Sequence, residues 1–333
     1  MNLLFARFRP RTTARGPLLG ALALGLALTA GCAPPDEPRS LPTPAGSSPN
    51  AGHTAAAADT RERLRVDGGT REYLLHRPGA DGGAPRPLVI AYHGRGSSAE
   101  GMREMTGLGT AAAARDMLIA YPEGLHSGWG AGAAATGRRP DPDADVRFTE
   151  ALVEELVRTE GADPLRVYVV GFSNGGSMAL RMAAQRPGLL AGAAAVAGQL
   201  PTGPAAVEPT GAVPVLMIHG AEDPVRPLAG LPSPGPAAAG EEPITPSMAS
   251  RAGAEAFAAE GGARAPVERS EAGYDRTVWG PGDSRATVEL LVVHGAGHTW
   301  PGSSVTPPAG FGRTSTSLDA TGTILGFFAA RRR

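Results

Sequence analysis

The chain has 333 residues, of which 42% are hydrophobic, and a formal net charge of −1, so it can build one large domain or two small ones. All 31 basic residues are arginines, and the absence of lysine excludes a Schiff base, a Ser–Lys dyad and a P-loop lysine. Cys32 is the only cysteine, which excludes an internal disulfide framework and a Cys-rich zinc site.

The N-terminus has the pattern of an export signal. Several arginines precede LLGALALGLALTA (18–30), an apolar run shorter than the roughly 20 residues that a membrane span needs. The run ends in LTAGC (28–32), which resembles the lipobox of bacterial lipoproteins. The resemblance implies that residues 1–31 are a signal peptide and that a lipidated Cys32 anchors the protein to a membrane. An ordinary secretory signal with a chance cysteine is the alternative.

The segment after the cysteine has little that could build a core. Residues 33–60 contain six prolines and many Ala, Gly and Ser residues, so we interpret 32–60 as a disordered tether and 61–333 as one catalytic domain. Without residues 1–31 the chain has 27 basic and 32 acidic residues, a net charge of about −5. This charge argues against nucleic acid as a partner. The predicted location is extracytoplasmic, either lipid-anchored on the outer face of the cell membrane or secreted.

Eight strands are predicted, and most of them should be parallel. The first two flank Asp67-Gly68-Gly69 and should form an antiparallel hairpin. Several of the later runs are continuously apolar, as expected when helices cover both faces of a parallel sheet. These runs are PLVIAYH (87–93), MLIAY (117–121), RVYVV (166–170), AGAAAVA (191–197), VPVLMIH (213–219) and TVELLVV (287–293).

Three helical patterns and one long loop lie between or after these strands. Residues 145–161 place apolar side chains on one stripe, with Asp145 as the expected N-cap. Further helices are predicted over 249–260 and near 318–330. Residues 224–246 are rich in Pro and Gly and have no periodicity, so they predict a long loop that forms a rim or a lid.

The stretch Gly-Phe-Ser-Asn-Gly (171–175) follows an apolar strand and precedes a helical pattern, which is the context of a nucleophile elbow. Such a turn would present Ser173 at the carboxyl edge of the sheet. Side chains at Gly171 and Gly175 would clash across the turn. A plain Gly-rich turn is the alternative, because glycine is abundant in this chain. The order along the chain favours the elbow, since Asp223 follows the seventh predicted strand and His298 the eighth.

This Ser–Asp–His order is the arrangement of the α/β-hydrolase fold, and the motifs extend the resemblance. They resemble the extracellular esterase family of polyhydroxybutyrate depolymerases and feruloyl esterases over residues 61–330, although the cysteines of many members are missing and the 224–246 loop is long. The resemblance implies a serine esterase acting on polymeric or aryl esters, without cofactor or metal. The motifs are YHGRGSS (92–98), YPEG (121–124), GFSNGG (171–176), HGAEDPVRP (219–227) and GAGHTWPG (295–302).

The expected roles follow from serine-hydrolase chemistry. Ser173 is the nucleophile, His298 is the general base, and Asp223 orients the imidazole, with Glu222 as a weaker candidate for that last role. The backbone N–H groups of Asn174 and Arg95 should form the oxyanion hole.

Trp300 and Trp129 are expected to line the substrate cleft, with core packing as an equal alternative for each. Other readings of the site also stay open. His294 and His298 could bind a metal, although the Gly-Ala-Gly spacer is unlike the helix that usually aligns such a pair. The same triad could belong to a peptidase or an acyltransferase, or the protein could be a non-catalytic surface lipoprotein.

Overall fold

The structure is a computed structural model, and all the residues that it describes belong to the unit His53–Arg333 rather than to Met1–Gly52. The predicted signal peptide, Cys32 and all but the end of the predicted tether lie outside the described residues. The tether prediction extends too far, because the first strand already begins at Ala58. The described ranges are 58–79, 83–235, 242–263, 265–280 and 286–333.

The described residues form one sheet of ten strands in the order β1-β2-β4-β3-β5-β6-β7-β10-β9-β8. The six strands from β4 to β10 in this order are parallel, while β1, β2, β9 and β8 pair antiparallel at the two edges. The strands are β1 Ala58–Val66, β2 Gly69–Arg77, β3 Arg86–Tyr92, β4 Leu118–Pro122, β5 Ala162–Phe172, β6 Gly192–Val196, β7 Val215–Gly220, β8 Val267–Glu271, β9 Tyr274–Trp279 and β10 Val288–Val293.

Helices cover both faces of this sheet, as predicted. Along the central strand β3, Leu88 and Ile90 pack into one apolar core and Val89 and Ala91 into the other. Helices α3, α4 and α5 pack in the first core, and α1, α2 and α6 in the second. The helices are α1 Ala99–Thr106, α2 Leu108–Ala113, α3 Ala144–Glu160, α4 Asn174–Gln185, α5 Ser250–Glu260 and α6 Ala320–Ala329.

The two-layered core and the mostly parallel sheet confirm the predicted α/β-hydrolase fold. The eight-strand prediction was two short, because β8 and β9 form a hairpin that the apolar pattern does not reveal. All five residues of β8 are exposed, so this strand has no buried face that would leave a period of two in the sequence. Within the described part of the chain, no helix has the length and apolarity that crossing a bilayer requires.

Asp145 is buried inside the first turn of α3 rather than capping it, and this corrects the predicted N-cap. The helix begins at Ala144. The Asp145 carboxylate accepts hydrogen bonds from the Arg71 guanidinium at 2.9 Å and from the Gly130 backbone N–H at 2.7 Å. The guanidinium also stacks on the Phe148 ring, 4.0 Å from its centroid. This carboxylate therefore joins β2, α3 and the segment around Gly130 through one buried charge pair.

Replacing Asp145 with Ala should lower the free energy of unfolding by about 3–5 kcal/mol, because it leaves the buried Arg71 cation without its partner. Urea unfolding measures the change. Arg147→Ala is the matched control on the same helix: its ion pairs with Asp67 and Asp141 are exposed, so its loss should be much smaller. Equal losses from the two variants would contradict the assigned importance of the buried pair.

Candidate active site

Ser173 occupies a strained turn between β5 and α4. Its backbone has φ 56° and ψ −117°, a conformation that residues other than glycine rarely adopt. A Cβ atom at Gly171 would lie 2.1 Å from the Gly175 carbonyl oxygen, and one at Gly175 would lie 2.3 Å from that of Tyr92. A side chain at either glycine would therefore clash, as predicted. The turn projects Ser173 from the carboxyl end of β5.

Three side chains from distant parts of the sequence form a hydrogen-bonded chain at this edge. His298 Nδ1 lies 2.7 Å from Asp223 Oδ2, and His298 Nε2 lies 2.7 Å from Ser173 Oγ. Because the ionised carboxylate can only accept, Nδ1–H donates to Asp223, and Nε2 accepts from the serine hydroxyl. This is the tautomer in which the imidazole can remove the proton of Ser173. Glu222, the weaker candidate, is exposed.

Asp223 is ionised although its side chain is fully buried. Its second oxygen, Oδ1, accepts from the backbone N–H groups of Val225 and Arg226, both at 2.8 Å. Burial acts to raise the pKa of Asp223, but the hydrogen bonds and the attraction to His298 outweigh it, so the pKa lies below its ordinary value. The carboxylate thus remains available to stabilise a positive charge on His298.

The loop that carries His298 is held by close backbone contacts. A Cβ atom at Gly297 would lie 2.2 Å from the Phe311 carbonyl oxygen, and that oxygen accepts from the His298 backbone N–H at 2.6 Å. The imidazole lies between the rings of Phe172 and Phe311, with centroid distances of 5.1 and 5.2 Å. Phe311 was missing from the sequence prediction because it belongs to no recognisable motif and approaches His298 only through the fold.

His294 lies outside the hydrogen-bonded chain of Ser173, His298 and Asp223. Its side chain is half exposed, and Nε2 lies 3.0 Å from Asp275 Oδ2 on the neighbouring strand β9. His298, in contrast, is buried and engaged with Ser173 and Asp223. The two imidazoles therefore do not converge on a shared point. Across the described ranges no cluster of three or more His, Cys, Asp or Glu side chains could hold a metal ion.

The two residues predicted for the oxyanion hole lie on segments that border Ser173. Asn174 is the first residue of α4, where a backbone N–H has no intrahelical acceptor. Arg95 follows Gly94, where a Cβ atom would lie 3.1 Å from the Phe172 ring. The loop after β3 therefore passes directly beside the nucleophile turn.

The two tryptophans predicted to line the cleft lie in the core instead, each only 2% exposed. Trp129 Nε1 donates to the His93 carbonyl at 2.9 Å, and its backbone N–H and carbonyl are bonded to the Asn174 side-chain amide. Trp300 Nε1 donates to Thr321 Oγ1 at 3.0 Å. The core alternative thus applies to both rings: Trp129 supports the loop and helix beside Ser173, and Trp300 anchors the His298 loop to α6.

A buried polar network lies behind the three side chains, and no sequence motif indicated it. Gln199 is its centre: its backbone N–H donates to Ser177 Oγ on α4, and its side-chain Nε2 donates to the Pro227 carbonyl and to Ser250 Oγ. Ser250 Oγ lies 3.0 Å from His219 Nδ1, and His219 Nε2 donates to the Arg226 carbonyl at 2.7 Å. The network thereby ties the loop of Asp223 to the helix of Ser173.

The Pro-rich loop predicted over 224–246 lies beside the loop after β3. Its two described parts pair with each other through the hydrogen bond from the Gly235 N–H to the Ile244 carbonyl at 2.9 Å. Arg95 Nη1 donates to the Glu242 carbonyl at 2.6 Å, and the Glu242 carboxylate accepts from the Arg138 backbone N–H at 2.8 Å. These contacts place Glu242 against the segment that carries Arg95.

Sequence comparisons give a consistent family assignment. The profile of the Phospholipase/Carboxylesterase family matches residues 129–231. The chain is 42% identical over 344 residues to a protein of Nocardia uniformis subsp. tsuyamanensis named "Putative esterase NocK", and the match covers 95% of this chain and 98% of that one. It is 30% identical over 168 residues to feruloyl esterase C of Emericella nidulans, covering 48% of this chain and 57% of that enzyme.

Among solved structures, an acetyl xylan esterase from Aspergillus awamori superposes with a TM-score of 0.51 at 15% sequence identity. The match covers 81% of this chain and 99% of that enzyme. At this identity the similarity supports the fold and nothing finer.

Burial lowers the pKa of two histidines at strand ends, His93 and His219, so both are neutral in the folded protein. In the unfolded chain each histidine has a pKa of about 6.5. As the pH falls through this value the unfolded chain binds protons that the folded protein does not, so stability should fall by up to about 1.4 kcal/mol per pH unit for each histidine.

Urea unfolding between about pH 8 and pH 5 measures this dependence. His219→Gln should be less stable than wild type at the upper pH, because the network around Ser250 and Arg226 loses a ring. Its stability should nevertheless fall less steeply with decreasing pH. An unchanged slope in this variant would show that His219 does not remain neutral on folding.

Proposed function

Because the chain belongs to the same esterase family as NocK and is a serine carboxylic ester hydrolase with the α/β-hydrolase fold, we propose that Ser173, His298 and Asp223 are its catalytic triad. The observation that carries the proposal is the continuous hydrogen-bonded chain from Ser173 Oγ through His298 to Asp223. The strained turn at Ser173, with φ 56°, is further support, since such strain concentrates at functional positions.

In the proposed mechanism Ser173 Oγ attacks the ester carbonyl while His298 Nε2 takes the hydroxyl proton. The tetrahedral intermediate collapses when His298 returns that proton to the leaving alcohol, and an acyl-enzyme on Ser173 remains. A water molecule then attacks the acyl group with His298 again as base, which releases the acid and restores the serine. Asp223 stays ionised throughout and stabilises the imidazolium, in keeping with the lowered pKa of its carboxyl group.

The negative charge on the intermediate requires preorganised donors. We assign this role to the backbone N–H groups of Asn174 and Arg95. The assignment is supported by the position of Asn174 at the start of α4, where the helix dipole adds positive potential. It is also supported by the side-chain amide of Asn174, which holds the backbone of Trp129 through two hydrogen bonds and so stiffens this wall of the site.

The substrates that we propose are aryl or polymeric carboxylic esters, namely feruloyl or acetyl esters of polysaccharides or a polyhydroxyalkanoate-type polyester. The support is the name of the related feruloyl esterase C and the motif resemblance to polyester depolymerases. Hydrolysis rates on methyl ferulate, acetylated xylan, poly-3-hydroxybutyrate and short-chain nitrophenyl esters distinguish these classes. We further propose an extracytoplasmic location, with residues 1–31 removed, Cys32 lipidated and residues 32–57 linking it to the domain.

Ser173→Ala should reduce ester hydrolysis to below about one-hundredth of the wild-type rate, and His298→Ala should lose a comparable factor, because triad members act as a unit. His294→Ala is the matched control: its ring pairs with Asp275 on β9, so this variant should keep measurable activity. Initial rates on a nitrophenyl ester, with melting temperatures to verify folding, measure the effects. Labelling by a fluorophosphonate should disappear in Ser173→Ala, become much slower in His298→Ala and persist in His294→Ala.

Two results would contradict this assignment. Substantial turnover or labelling of Ser173→Ala would exclude that serine as the nucleophile. Equal and complete losses from both histidine variants, together with inactivation by EDTA, would indicate a metal pair at His294 and His298 instead of a triad.

Cys32→Ala should shift the protein from the membrane fraction to the soluble fraction of the exporting cell, because diacylation requires the thiol. Immunoblotting of the fractions measures the distribution, and Ser173→Ala serves as a control with an intact cysteine. Persistence in the membrane fraction of a Cys32→Ala protein that has lost residues 1–31 would exclude lipidation as the anchor.

A further inference from the structure

Arg226 is a buried cation on the loop of the proposed catalytic acid. It lies three residues after Asp223, and its backbone N–H donates to Asp223 Oδ1 at 2.8 Å. The residue is only 5% exposed. A buried guanidinium that takes no part in the proposed mechanism therefore lies on the same loop as the proposed catalytic acid.

Within the described residues, the Arg226 guanidinium forms no ion pair. Among the described residues no carboxylate oxygen lies within 4 Å of it, and its one side-chain hydrogen bond is a long one, 3.5 Å from Nη1 to Ser247 Oγ. Burial lowers the pKa of Arg226 to about 10, and the nearby Arg95 cation acts in the same direction. The buried arginines Arg71 and Arg181, in contrast, are paired with Asp145 and Asp143.

A buried charge without a partner is costly, so its persistence calls for an anion. Ser247 is a poor substitute, because its hydroxyl is neutral and accepts only a long hydrogen bond from Nη1. The remaining guanidinium nitrogens are not enclosed: none of them is among the fully buried polar atoms that lack a partner. These nitrogens therefore keep some accessible surface, in keeping with the 5% exposure of the residue.

The location of Arg226 connects this free charge to the substrate. The charged groups that act on it are Asp223, which belongs to the proposed triad, and Arg95, which belongs to the proposed oxyanion loop. Arg226 itself belongs to the Asp223 loop, and the Pro-rich segment that follows it reaches Arg95 through the carbonyl of Glu242. A guanidinium binds a carboxylate through two parallel N–H donors, which gives both affinity and orientation.

We propose that Arg226 is a specificity-determining residue that binds a carboxylate carried by the ester substrate, an inference that rests on the proposed esterase function. The preferred substrate is then an ester with a free carboxylate on its acyl or its alcohol part. The anion supplies the partner that the protein lacks at Arg226 and fixes the ester relative to Ser173.

Paired substrates test this inference. Mono-4-nitrophenyl glutarate has the carboxylate on the acyl side and is compared with neutral 4-nitrophenyl butyrate. 4-Acetoxybenzoate has it on the alcohol side and is compared with its methyl ester. Wild type should favour one of the anionic esters over its neutral counterpart at least about tenfold in kcat/KM, and R226Q should lower that ratio by a factor of about ten or more.

R331Q is the matched control, because Arg331 is also a buried arginine but is paired with Glu289, a residue of β10 that belongs to neither loop beside Ser173. The R331Q protein should be less stable than wild type but keep the wild-type ratio of kcat/KM between the anionic and the neutral ester. Equal kcat/KM values for both substrate pairs in wild type, or an unchanged ratio in R226Q, would overturn the proposal. Hydrolysis of the neutral esters alongside either result would leave the esterase function intact, so the two failures are distinguishable.

A binding measurement makes the test independent of turnover and of the folding of R226Q. Calorimetry on Ser173→Ala, which retains Arg226, compares monomethyl glutarate with dimethyl glutarate. The monoanion should bind at least about tenfold more tightly, and addition of salt should weaken its binding. Equal affinities would overturn the proposal even if R226Q does not fold.

Discussion

The close backbone packing around the turn of Ser173 is the constraint on which the rest of the candidate site depends. Ser173 can keep a φ of 56° only because β5 and α4 hold the residues on both sides of it, and a Cβ at Gly171 or Gly175 would overlap a carbonyl oxygen. Strain of this kind costs about 1–3 kcal/mol and persists where the surrounding structure over-determines it. The buried strands supply that surrounding structure, so Ser173 Oγ stays at hydrogen-bond distance from His298.

The other half of the site is assembled by loops, which have less intrinsic order than strands. Two features compensate. The loops of Asp223 and His298 touch so closely that a Cβ at Gly220 would lie 2.3 Å from the Gly297 carbonyl oxygen. Behind them Gln199 binds backbone or side-chain groups of Ser177, Pro227 and Ser250, so a displacement of one loop breaks hydrogen bonds in the interior. Buried polar contacts thus position Asp223 and His298, the proposed acid and base, on loops beyond the ends of the strands.

The exclusive use of arginine shapes the electrostatics of the molecule. An arginine cannot lose its proton in a protein, so each buried guanidinium is a permanent charge that needs an anion. Asp145 and Asp143 provide it for Arg71 and Arg181 and join separate segments in doing so. At Arg226, on the loop of the proposed catalytic acid, the described residues provide none within 4 Å. The same residue type thus supports the fold where a carboxylate of the chain lies close by, and we propose that it binds substrate where none does.

The sequence by itself determined the fold and the order of the proposed triad. Apolar runs mark the inner strands because both faces of a parallel sheet are buried, and the turn around Ser173 requires glycine at fixed local spacing. These are local constraints, and a single sequence records them. The tertiary structure alone decided what depends on contacts between distant segments: the burial of Trp129 and Trp300, the link from Gln199 to His219, and the unpaired charge of Arg226. Such contacts leave no periodicity or motif, because each partner is chosen by proximity in space and not by spacing along the chain.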